Sequence, residues 1–152
     1  MGDGRPLPPQ PLDSIRIDLP LPVGLPEEYV PDEKLRLQVY RRLAELDSMA
    51  AVDQIQDELA DRFGPLPAPT QNLLYQLRLK VSARAARIEG IGIENGRIAL
   101  RASGGDFASR DALKAALPGW AIVGRRDIWL ELSQGWRDRL VTLLELLAGM
   151  PR

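Results

Sequence analysis

"GIGIENGRIAL", residues 90–100, decides the fold class of this 152-residue chain. Asn95-Gly96 is the dipeptide favoured in a two-residue hairpin turn, where both central residues take positive φ. Folding the stretch about that turn pairs Glu94 with Arg97, Ile93 with Ile98, and Ile91 with Leu100. The apolar pairs then share one face and the charged pair takes the other, so turn chemistry and side-chain alternation demand the same register. A β-hairpin is expected here.

Upstream of the hairpin the apolar period lengthens to that of a helix. Leu35, Val39, Leu43 and Leu46 mark a first helix. Asp47 or Ser48 is placed to cap a second, whose stripe is Val52, Ile55, Leu59 and Phe63. Gly64 fits a left-handed C-cap, and Pro65 prevents continuation. A third helix opens at Pro67 and Pro69 and is expected to run to about Ile88 through Leu73, Leu74, Leu77, Val81 and Ala85. Lys80, Arg84 and Arg87 fall on one face of it and read as a solvated face. Before the helices, Ile15, Ile17 and Leu19 alternate with Arg16 and Asp18, a short strand that Pro20 and Pro22 keep out of a sheet centre. The Pro/Gly-rich residues 1–14 are expected to be a flexible linker.

Downstream, Ser109 is placed to cap a short helix that buries Leu113 and Leu117. "WAIVGRRDIWLEL", residues 120–132, reads as a second hairpin turning at Gly124 to Asp127. Trp136, Leu140, Leu143 and Leu147 mark a closing helix. Residues 15–152 are therefore expected to form a single α+β domain. An N-terminal strand and three-helix segment (about 15–88) precedes two β-hairpins alternating with two helices (89–152), with a small antiparallel sheet packed on helices.

The chain contains no Cys and no His, which removes zinc-thiolate sites, cysteine nucleophiles and the commonest general base. No G-x-x-x-x-G-K-[ST] loop and no G-x-S-x-G elbow is present. No catalytic residue, metal ligand or cofactor site is assigned. Ser103 to Asp106, "SGGD", reads as a turn, and Glu27, Glu28, Asp32 and Glu33 read as an acidic loop at the positive end of the next helix. Trp120, Trp129 and Trp136 read as core or interface anchors. The net charge is −1, which argues against tight nucleic-acid binding. A nucleic-acid module, were it one, would use Arg36, Arg41, Arg42, Lys80, Arg84 and Arg87. No apolar run approaches the roughly 20 residues that span a bilayer.

One segment conflicts with local rules. In "ELADRFGPLPAPTQNLL", residues 58–74, Asp57 and Asp61 project away from the Leu59 stripe and repel each other. Asp61 also faces the negative helix end, where carboxylates are disfavoured. Glu58 lies on the flank of the stripe, with Arg62 as partial compensation. Exposed local conflict of this kind is expected where a partner binds. Glu58 and Asp61 are therefore the candidate partner-binding residues, and Phe63, Gly64 and Pro65 form the structural corner beneath them.

"LPEEYVPDEKLRLQVYRRLAEL", residues 25–46, followed by that corner, resembles the C-terminal domain of bacterial transcription-repair coupling factors. The matching features are Tyr29-Val30-Pro31-Asp32, Arg36-Leu37 with Tyr40, Arg42-Leu43, and Glu58-Leu59-x-Asp61-Arg62-Phe63-Gly64-Pro65-Leu66-Pro67. Ala60 stands where the family has a larger apolar residue. The resemblance implies a non-catalytic, cytoplasmic regulatory module of an ATP-dependent DNA translocase that displaces stalled RNA polymerase and recruits excision repair. It further implies that the module docks on a UvrB-like domain of the same chain and masks the surface that recruits UvrA. Glu58 and Asp61 would face that domain.

Overall fold

A computed structural model describes residues 12–105, 107 and 109–150. Most of the expected linker lies outside the described residues; Leu12–Ser14 form a single 3-10 turn. The strand at the front of the chain is short: β1 is Arg16–Ile17. Then come three helices, α1 (Glu33–Ala44), α2 (Met49–Phe63) and α3 (Ala68–Ala85). The remainder alternates hairpin and helix: β2 (Ile88–Glu94), β3 (Arg97–Ala102), α4 (Arg110–Ala116), β4 (Ile122–Val123), β5 (Asp127–Glu131) and α5 (Trp136–Ala148).

The α+β architecture is the one expected from the residues. The β2–β3 hairpin has the register that Asn95-Gly96 dictates, with Glu94 opposite Arg97, Ile93 opposite Ile98 and Ile91 opposite Leu100. Asn95 and Gly96 both take positive φ, 52° and 74°. Arg97, however, forms its ion pair with Glu131 on β5 at 3.4 Å. A central strand offers its side chains two neighbours, and pattern within one hairpin sees only the first. The sheet has five strands in the order β1-β2-β3-β5-β4. Four run antiparallel, and β1 joins the edge parallel to β2, so the sheet is mixed.

Local chemistry sets the helix starts. Asp32 caps α1 by accepting from the amides of Lys34 and Leu35, Ser48 caps α2, and Ser109 caps α4. Pro67 precedes α3, and Pro69 sits in its first turn, where a missing amide costs nothing. The third helix ends at Ala85 instead of near Ile88. Arg87 turns the chain with φ of 58°, and Ile88 already belongs to β2.

Two apolar clusters result. One joins Val39 and Leu43 of α1, Val52, Ile55 and Leu59 of α2, Leu74 of α3, and Leu25. The other packs one sheet face, including Ile91, Ile98, Leu100, Ile128 and Leu130, against Leu79 and Ala83 of α3 and Leu140, Leu143, Leu144 and Leu147 of α5. Trp120 and Trp136 pack half-buried against this second cluster. Trp129 points to the opposite sheet face, where a Cβ on Gly124 would lie 2.6 Å from its ring, so only glycine fits beside it.

Candidate functional site

The acidic corner is built on the last two turns of α2. Leu59 is fully buried and anchors the helix. By helical geometry Glu58 and Ala60 then lie about 100° to either side of the core direction, and Asp61 points outermost. Phe63 is half-buried, less than its place in the stripe implied, because it ends the helix at the rim of the cluster. Its ring centroid lies 5.7 Å from that of Tyr29, and the Arg62 guanidinium sits over the Phe63 ring, 5.2 Å from its centroid.

Gly64 closes α2 by donating its amide to the Ala60 carbonyl at 3.0 Å. Its torsions are φ 91° and ψ −170°, positive as a glycine cap requires but extended in ψ, so it is not the left-handed helical cap that pattern suggested. Pro65 explains the difference, since the residue before a proline is driven from helical to extended ψ. The Tyr29 hydroxyl, directed at the helix end, is shared between the carbonyls of Leu59 (3.1 Å) and Gly64 (2.9 Å). It thereby ties the loop that carries Tyr29 to both the last turns of α2 and the residue that ends them. Burial raises the Tyr29 phenol above its ordinary pKa, so it stays a donor. Arg36, reaching back to the Val30 carbonyl at 2.9 Å, fixes the loop that carries Tyr29.

The two candidate acids have different surroundings. Glu58 is clamped by both terminal nitrogens of Arg42 from α1, with Arg62 at 3.6 Å. The hydrogen bond from Arg42 holds its carboxyl below the usual range, and Arg62 adds to the effect. Asp61 is exposed and makes no ion pair or hydrogen bond among the described residues. The structure thus places the pair side by side but leaves only Asp61 with an uncommitted carboxylate. Sequence reasoning weighed Arg62 as the partner of Glu58 and missed Arg42. Only the packing of α1 against α2 brings that guanidinium across 16 residues.

Three of the six cations that a nucleic-acid module would use are held by partners within the chain. Arg36 holds Val30, Arg42 holds Glu58, and Arg84 holds both the carboxylate and the carbonyl of Asp47 at 2.7 Å. Among the described residues no group of His, Cys, Asp or Glu is arranged to hold a metal ion, and no helix is long and apolar enough to cross a membrane.

Comparison with known proteins matches the chain to a family. The TRCF domain family model matches residues 19–113, well over half of the chain. The transcription-repair-coupling factor of Escherichia coli (strain K12) is 33% identical over 107 residues, 70% of this chain and 8% of that protein. That of Mycobacterium tuberculosis (strain CDC 1551 / Oshkosh) is 42% identical over 77 residues, 51% of this chain and 6% of that protein. The chain thus spans a small fraction of the length of these relatives. A crystal structure of the C-terminal domain of a transcription-repair coupling factor superposes with a TM-score of 0.71 at 15% identity, covering 88% of this chain and 91% of that one. At that identity the superposition speaks for the fold, and the sequence matches speak for the family. The chain belongs to the TRCF domain family of transcription-repair coupling factors.

Proposed function

We propose that this chain is a non-catalytic docking module that covers a UvrB-like domain of its parent translocase and masks the surface that recruits UvrA. The observation that carries the reading is Asp61: an exposed carboxylate at the unfavourable end of a helix, with no ion-pair or hydrogen-bond partner among the described residues. The corner beneath it is braced by Tyr29, Arg36 and Gly64, so the carboxylate is presented on rigid backbone. Glu58 contributes through its pair with Arg42, which a basic group on the partner would have to share or displace.

Reversing Asp61 alone tests the reading without breaking the Glu58 clamp. Asp61→Lys leaves the fold within about 0.5 kcal/mol of wild type, as for most exposed changes. The same change weakens docking to the separately produced UvrB-like domain at least tenfold, or about 1.4 kcal/mol, because like charges now meet. Wild-type affinity also falls with added salt, since rim charges are screened over about 8–10 Å. Calorimetry at low and high salt measures both effects. Equal affinities for the two folded proteins would move the docking surface elsewhere.

A further inference from the structure

Beside the corner, on the flank of α2 opposite Glu58, lies a cleft of about 480 Å³. Its walls come from α2 (Gln56, Ala60), the corner (Leu66), α3 (Tyr75, Arg78) and the first turn of α5 (Arg137). Ala60 is exposed, and its single methyl leaves the α2 wall low, so the apolar surface of Leu66 and Tyr75 is reachable from outside.

The two arginines of the cleft differ. Arg78 is neutralised by Asp53 at 2.6 Å and bonded to Gln56 at 2.8 Å. Arg137 has no ion pair among the described residues. Its guanidinium lies 4.4 Å from the centroid of the Tyr75 ring, while the Tyr75 hydroxyl donates to the Arg137 carbonyl at 2.9 Å. Both ends of the residue are therefore held by one tyrosine. The result is a held cation, without an ion-pair partner among the described residues, above an apolar recess, an arrangement suited to a carboxylate.

We propose that this cleft is a second docking pocket, which takes an apolar side chain flanked by a carboxylate from the domain that covers Asp61. Charge complementarity selects that chemistry: the basic group opposite Asp61 and the acidic group opposite Arg137 set the orientation of the partner, and the apolar side chain fills the space over Ala60. Asp61 directly follows Ala60 in the helix, so a partner lying over the carboxylate meets the cleft without rearrangement. The inference rests on the docking reading given above.

Two variants test it by calorimetry of this chain against the UvrB-like domain. Ala60→Trp fills the recess from an exposed helix position. Arg137→Gln removes the cation and keeps the Tyr75 bond, which uses the main-chain carbonyl. Each is expected to weaken docking at least fivefold while the chain stays folded, with a thermal midpoint lowered by at most a few degrees for Arg137→Gln, which gives up the contact with the Tyr75 ring. Asp61→Lys serves as the control. If Asp61→Lys weakens docking while both cleft variants bind as wild type, the pocket is overturned and the corner stands. If the wild-type chain does not bind the domain at all, both readings fall.

Discussion

Gly64 shows how one residue fixes the corner. With φ of 91° and ψ of −170° it occupies a region that is essentially closed to residues with a Cβ. No atom lies within 4 Å of where a Cβ would stand, so a substitution there meets no steric clash with neighbours. Gly64→Ala should therefore cost about 1–3 kcal/mol of backbone strain alone. Chemical denaturation checks this, and a midpoint equal to that of wild type would mean the backbone relaxes to another route into Pro65. That a glycine is needed between Phe63 and Pro65 was legible from the order of residues. The kind of positive φ was not, because it depends on the proline that follows. Nor was the brace: Tyr29 reaches Gly64 from 35 residues away, and no local pattern reports on that.

At the scale of elements, α3 is where sequence reading lost its way, and the cause is its position. Its expected stripe ran through Leu73, Leu74, Leu77, Val81 and Ala85; of these only Leu74 is buried, and the other buried residues are Thr70, Asn72, Leu79 and Ala83. Thr70 and Leu74 face one side of the helix and Asn72, Leu79 and Ala83 roughly the opposite side, by 3.6-residue geometry. A helix shared between two apolar clusters buries two faces, so no single stripe describes it. Asn72 and Thr70 are buried because they hold the Pro22 and Gly24 carbonyls at 2.9 and 3.0 Å. In α1 and α2, each with one buried face, Val39, Leu43, Val52, Ile55 and Leu59 are buried as read, while Leu35 and Phe63 are half-buried and Leu46 lies past the end of α1. Tyr75 ties α3 to α5, and burial pushes its phenol from 10.0 up to about 12. The raised value means that its stabilising effect is complete below pH 10 and is lost as pH rises through about 12. Absorbance titration of the phenolates should show a late step near 12 that Tyr75→Phe removes. A wild-type titration finished near pH 10 would show that the phenol meets solvent and that α3 and α5 are not joined there.

Across the whole molecule the question is whether two apolar clusters make one folding unit. Hairpin register and helix positions told of both clusters, but their joint, the two-sided α3, and the parallel docking of β1 on β2 are non-local and left no trace in the pattern. Because α3 places Leu74 in one cluster and Leu79 in the other, unfolding either should strip a face of the helix that the other needs. We therefore expect a single cooperative transition over residues 15–150. Two optical signals divide the molecule. All three tryptophans, Trp120, Trp129 and Trp136, lie on the sheet side, while α1, α2 and much of α3 dominate the far-ultraviolet dichroism. Leu59→Ala removes a fully buried side chain from the helical cluster and contacts no tryptophan there. Such a truncation costs about 2–5 kcal/mol. In one cooperative unit it lowers the tryptophan-fluorescence midpoint as far as the dichroism midpoint, because coincident transitions are the mark of two-state unfolding. A dichroism midpoint that falls while the fluorescence midpoint stays at its wild-type value would divide the chain into two independently stable parts. In that case α3 would be a seam between them, and docking at Asp61 could be controlled by the helical part alone.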